Sequence, residues 1–130
     1  MKKIYLSAIV CLLATFSYAQ SERLVLVEEG TNASCGPCAA QNPSFNALLD
    51  NNTDNVISIK YQWYFPGFDP MHEHNPAEAN ARLAYYGING VPTATIDGVI
   101  PDVSPSYPGA PGAFSQGLFD DAGAIQASFD

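Results

Sequence analysis

A chain of 130 residues with 13 acidic and 5 basic side chains carries a formal net charge of −8. That length accommodates one domain with a real hydrophobic core and leaves no room for a second. The acidic balance argues against nucleic acid or anionic lipid as a partner, because both would repel it.

The amino terminus reads as a leader. Met1-Lys2-Lys3 is a basic start, positions 4–16 are mostly apolar, and Ser17-Tyr18-Ala19 is a small-x-small cleavage site before Gln20. This is the pattern of a Sec-type signal peptide over 1–19. The competing reading, a retained anchor helix, needs about 20 apolar residues, more than this run supplies. Cys11 suggests a lipoprotein, but Val10 stands where a small residue is required, and the cysteine comes too early in the apolar run. The expectation is a single exported domain over 20–130, periplasmic or secreted, with no membrane span once the leader is gone. It keeps Arg23, Lys60 and Arg82 as its only strong bases, and Cys35 and Cys38 as its only cysteines, in a compartment where disulfides persist.

Leu24-Val25-Leu26-Val27 is a continuous apolar run with two β-branched residues, which predicts a buried parallel strand. It ends at Glu28-Glu29-Gly30, and the chain turns through Thr31-Asn32-Ala33-Ser34 into Cys35-Gly36-Pro37-Cys38. Pro37 suits the first turn of a helix, where its missing N–H costs nothing. That helix is expected to reach Leu49 or Asp50, with Phe45, Leu48 and Leu49 on the buried face and a kink at Pro43. Cys35 then stands at a helix N-terminus, where partial positive charge and free N–H groups favour thiolate. Three chemistries fit such a pair: redox exchange with Cys35 attacking and Cys38 resolving, an inert structural disulfide, or half of a zinc site lacking its other two ligands.

Val56-Ile57-Ser58-Ile59-Lys60-Tyr61 predicts a second strand beside the first. The prolines and glycine of the stretch 62–75 break any long helix there. Five aromatic residues, Tyr61, Trp63, Tyr64, Phe65 and Phe68, either line the mouth of the site or pack over the sheet. His72-Glu73-His74 has no third metal ligand at helical spacing, and a solvated loop is expected, without metal. Asn75-Pro76 opens a helix to Tyr85 or Tyr86, stopped by Gly87. Thr93-Ala94-Thr95-Ile96 alternates as a strand, Asp97-Gly98 is a hairpin turn, and Val99-Ile100 begins a return strand. After a proline-rich connection, Phe114, Leu118, Ala122, Ile125 and Phe129 suggest a last amphipathic helix. The end at Asp130 carries no capping signal, so the chain is read as a possible fragment of a longer protein.

Cys35-Gly36-Pro37-Cys38, Pro43 five residues later, and Tyr86-Gly87-Ile88-Asn89-Gly90-Val91-Pro92-Thr93 together resemble the thioredoxin superfamily over residues 24–103. With the leader, Glu28-Glu29-Gly30-Thr31 and Asp69-Pro70-Met71, the chain is similar to thioredoxin-like modules of exported Gram-negative envelope proteins. The resemblance implies an α/β, minimal thioredoxin-like fold. It would have a mixed sheet of about four strands in spatial order second, first, third, fourth, helices on both faces, and no counterpart of thioredoxin's first strand and helix. It implies that Pro92 is the cis-proline facing the cysteines, that the Val91 backbone pairs with a bound substrate chain, and that Glu29 relays protons to and from Cys38. Trp63 is the expected substrate contact from the aromatic stretch. Ser34 departs from the pattern, replacing the usual tryptophan.

Two functions follow. The first is an extracytoplasmic thiol–disulfide oxidoreductase of reducing poise, needing no cofactor. Its partners would be protein thiols or disulfides and an unidentified electron donor or acceptor. The second is a non-catalytic binding or scaffold module whose cysteine pair stays oxidised. Cys35 is expected to be the more exposed thiol, with Cys38 beneath it.

Overall fold

The computed structural model describes residues 23–98 and 109–125. The expected leader, Val99, Ile100 and Phe129 lie outside the described residues. The first strand, β1 (Val25–Thr31), is followed by helix α1 (Gly36–Asp50) and strand β2 (Val56–Gln62). A single 3-10 turn (His72–His74) leads into helix α2 (Pro76–Tyr85) and strand β3 (Thr93–Ile96). After a second such turn (Pro111–Ala113) comes helix α3 (Gln116–Gly123).

The sheet has the order β2-β1-β3, with β1 parallel to β2 and antiparallel to β3. Central β1 is buried on both faces, which is why Val25, Leu26 and Val27 at its start are apolar in succession and do not alternate with polar residues. Val25 and Val27 point into a core shared with Phe45 and Leu49 of α1 and Phe119 and Ala122 of α3. The intervening positions face α2. Glu28 meets Arg82 there, and Gly30 lies against Leu83. Helices therefore cover both faces, as expected.

The expected count of four strands is corrected to three among the described residues. The turn begins as a hairpin would, with Asp97 and Gly98 both at positive φ (56° and 72°). The chain rejoins β3 only through one isolated antiparallel bridge, Ala94 to Gly109. Gly109 is flanked in sequence by Pro108 and Pro111, which lack the N–H that a ladder needs. The last helix buries part of the expected set and adds Phe119 to it. Phe119 and Ala122 are its core residues, Leu118 and Phe114 are partly buried, and Ile125 is exposed. Its short span starts after Phe114, so the three-to-four-residue repeat read from Phe114 is not carried on one helix.

Pro43 sits inside α1, and Gly87 adopts φ 64° just past α2, where its N–H bonds to Ala84 and the Ile88 N–H to Leu83. Gly30 is required by close packing. A Cβ there would lie 2.7 Å from Leu83 Cδ2 and 3.4 Å from Val91 Cγ1. Gly30→Ala is expected to destabilise the fold by about 1–3 kcal/mol through overpacking, read as a lower urea midpoint with an unchanged m-value.

A candidate active site at the start of helix α1

The end of β1, the first turn of α1 and the chain entering β3 meet at the cysteine pair. Cys35 caps α1 and is disulfide-bonded to Cys38, with Cα atoms 5.2 Å apart. Cys35 Sγ accepts the Cys38 backbone N–H at 3.1 Å, so the sulfur already lies among the free N–H groups of the helix start. On its other side the Val91–Pro92 peptide bond is cis, and the Val91 carbonyl oxygen lies 3.5 Å from Cys35 Sγ. Pro92 is buried and Val91 partly so. A Cβ at Gly30 would clash with Leu83 of α2 and would only touch Val91, 3.4 Å away, so Gly30 serves the packing of α2 on the strand that leads to Cys35.

The predicted contrast in thiol exposure is absent from the oxidised pair: Cys35 is 3% exposed and Cys38 2%. Val91 closes over Cys35 on one side, and the loop after β2 is bonded to residues 31–34 just before it. Both cysteines still line an open groove of about 320 Å³, together with Ala33, Asn42, Lys60 and Met71.

Glu29 lies on the α1 face of β1, 1% exposed, ion-paired to Lys60. Among the described residues its Oε1 has no hydrogen-bond partner, and neither do Asn42 Oδ1 or Gln62 Oε1. Burial pushes the Glu29 carboxyl above the ordinary glutamate range, against the opposing pull of Lys60 and Asn42.

Glu28, on the opposite face, was not singled out by sequence reasoning. It is 2% exposed and receives Arg82 through two bonds of 2.7 Å, Tyr61 Oη at 2.9 Å, and Tyr86 Oη. Burial alone would raise its pKa, but the bonds from Arg82, Tyr86 and Tyr61 outweigh it and hold the carboxyl below the ordinary value. The Tyr86 hydroxyl is pushed up by burial and by its bond to Glu28. The signal was legible in principle. Two glutamates in a strand buried on both faces need partners, and residues 20–130 contain only three strong bases. All three are in ion pairs, the remaining one being Arg23 with Asp97.

Trp63 is half-buried, its ring 4.9 Å from that of Tyr64 and 5.9 Å from that of Phe65. The packing reading does not hold for Tyr64, Phe65 and Phe68, which are 61%, 53% and 73% exposed. His74 is exposed, as expected of a solvated loop, but His72 is buried, with Nε2 3.3 Å from Asn80 Oδ1. Among the described residues no three His, Cys, Asp or Glu side chains gather as a metal site, and no helix is long and apolar enough to cross a membrane.

No family model and no curated protein sequence matches the chain. Solved structures do resemble it, among them the following two. HBP35 of Porphyromonas gingivalis superposes with a TM-score of 0.56 at 20% identity, over 79% of this chain and 34% of that one. Protein AGR_C_4864 from Agrobacterium tumefaciens superposes with a TM-score of 0.53 at 18% identity, over 80% of this chain and 46% of that one. The chain thus spans about a third of the length of the first and less than half of the second. At these identities the likeness is one of fold: a thioredoxin-like arrangement reduced to three strands, carrying a disulfide-bonded C-x-x-C pair.

Proposed function

We propose that this chain is an extracytoplasmic thiol–disulfide oxidoreductase that acts on protein disulfides and is reducing in poise. The observation that carries the reading is Cys35, disulfide-bonded to Cys38 at a helix start, with its sulfur 3.5 Å from the Val91 carbonyl that precedes a cis-proline. In the dithiol state the Cys35 thiolate attacks one sulfur of a substrate disulfide, and the other leaves as a thiolate and takes up a proton. Glu29 accepts the proton of Cys38, whose thiolate attacks Cys35 and releases the second substrate thiol. Two electrons have passed to the substrate, and the product is the Cys35–Cys38 disulfide. A thiol-class electron donor must return it to the dithiol. Val91 and Pro92 offer backbone to the substrate chain, and Trp63 borders its path. Export to the periplasm or beyond rests on the leader pattern of 1–19.

A second reading, a scaffold module with a permanently oxidised pair, is favoured by one observation: both sulfurs are almost wholly buried. Equilibration in glutathione and dithiothreitol buffers separates the two. Negative charge at the end of the strand that leads into the pair, at Glu29, disfavours thiolate, so the expected potential lies near thioredoxin's, roughly −270 mV, and far from the roughly −120 mV of strong oxidants. A pair that stays oxidised across the whole series supports the scaffold.

A further inference from the structure

The segment 63–72 is tied, bond by bond, to the chain leading into Cys35. The Trp63 N–H donates to Thr31 O at 2.9 Å. The Asn32 side-chain amide donates to Trp63 O at 2.6 Å and to Gly67 O at 2.9 Å. The Ala33 N–H donates to Asp69 Oδ2 at 2.8 Å, and Ser34 Oγ donates to Phe68 O at 2.5 Å. Asp69 Oδ1 accepts from Met71 N and His72 N, so its carboxylate, 2% exposed, holds three backbone donors. At Gly67 the two segments touch: a Cβ there would lie 3.1 Å from that of Ser34.

With its polar groups turned inward, the segment presents rings outward. Tyr64, Phe65 and Phe68 are each more than half exposed, although large rings ordinarily bury themselves. The only charged residue in 63–71 is Asp69, and it is buried, so this surface is uncharged in a chain of net charge −8. Met71 of the same segment, 53% exposed, lines the groove that holds both cysteines. We propose that Tyr64, Phe65 and Phe68 are a preformed subsite for a large apolar side chain flanking the reacting cysteine of an unfolded polypeptide, and that Asn32 and Asp69 are its positioning residues. The proposal rests on the thiol–disulfide reading for its substrate class. An unfolded chain is the occupant that matches: it exposes apolar side chains beside its cysteines, and an uncharged apolar surface takes them without demanding a sequence.

Two peptides test this, alike except for Phe or Ser on both sides of one cysteine. Forms with serine in place of the cysteine report binding without chemistry, through the fluorescence of Trp63, the only tryptophan of the chain. The Phe peptide is expected to bind about tenfold more tightly, the effect of burying one ring. Phe68→Ser, at a 73% exposed position, is expected to remove the preference and leave the melting temperature unchanged. Asp69→Asn is expected to weaken the preference although every ring remains. Glutathione mixed disulfides of the cysteine forms then give kcat/KM with the reduced protein, beside an aromatic small-molecule disulfide as control. Equal binding of the two peptides overturns the subsite, even if the control disulfide is reduced. Preferential binding with no disulfide reduced keeps the subsite and removes the oxidoreductase reading. A full preference in Asp69→Asn overturns the positioning role. Concentration-dependent dimerisation abolished by Phe68→Ser assigns the surface to a second copy and overturns the polypeptide occupant.

Discussion

Arg82→Ala is expected to lose about 3–5 kcal/mol of stability at pH 7, a large share of the total for a domain of this size. The reason is what it leaves behind. The Glu28 side chain is 3% exposed, and its two oxygens are held by the guanidinium and two phenols. Without Arg82 a carboxylate stays buried with no counter-ion, and the guanidinium also leaves the faces of Tyr85 and Tyr86, 5.0 and 4.9 Å away. The pH dependence separates this from simple loss of packing. In the wild type the folded pKa of Glu28 is lowered, so its contribution is fully present above the unfolded value of 4.5 and fades as pH falls through the folded value. In Arg82→Ala burial is no longer outweighed and the folded pKa rises. The variant's Glu28 then gains stability as pH falls toward 4.5. Urea midpoints at pH 7 and pH 4 should show the gap between the two proteins narrowing. A loss near 1 kcal/mol or less, as for an exposed ion pair, or a gap independent of pH, would contradict the assignment.

Glu29→Gln is expected to slow resolution of a mixed disulfide by about a hundredfold, the lower range for a positioned proton acceptor. The amide keeps shape and burial but cannot take the proton of Cys38. Stopped-flow measurement of substrate thiol release against pH reads this step. The same substitution should raise the melting temperature at pH 8. The folded pKa of Glu29 lies above its unfolded 4.5, so the folded protein holds more protons in that window. Stability therefore falls as pH rises through it. Lys60, 28% exposed, remains solvated without its partner. An unchanged release rate removes Glu29 from the mechanism.

Where local chemistry decides structure, the sequence was legible. The apolar run of β1, Pro37 at the start of α1, Pro76 at the start of α2 and Gly87 at its end all lie where propensity and capping place them. The cysteine pair and cis-Pro92 followed from motif and resemblance together. What was not legible depends on contacts distant in sequence. The bonds from Asp69 to Met71 and His72 are a local turn that an aspartate before a proline suggests. Its bond to Ala33 crosses 36 positions and leaves no periodic trace. Arg82 reaches Glu28 across 54. The aromatic residues of 63–68 left two readings open in the sequence because hydrophobicity predicts burial only where a surface exists to bury against, and here the segment makes its polar contacts to the Cys35 loop and leaves Tyr64, Phe65 and Phe68 exposed.

Trapping a mixed disulfide is the most direct measurement of the central claim. Reduced Cys38→Ser, mixed with a disulfide-bonded protein such as insulin, should accumulate a covalent adduct that peptide mapping places on Cys35. Wild type should pass through that adduct and end as the Cys35–Cys38 disulfide with substrate thiols released, and Cys35→Ser should form no adduct. No adduct in Cys38→Ser, or an adduct on Cys38 in Cys35→Ser at a comparable rate, would contradict the account.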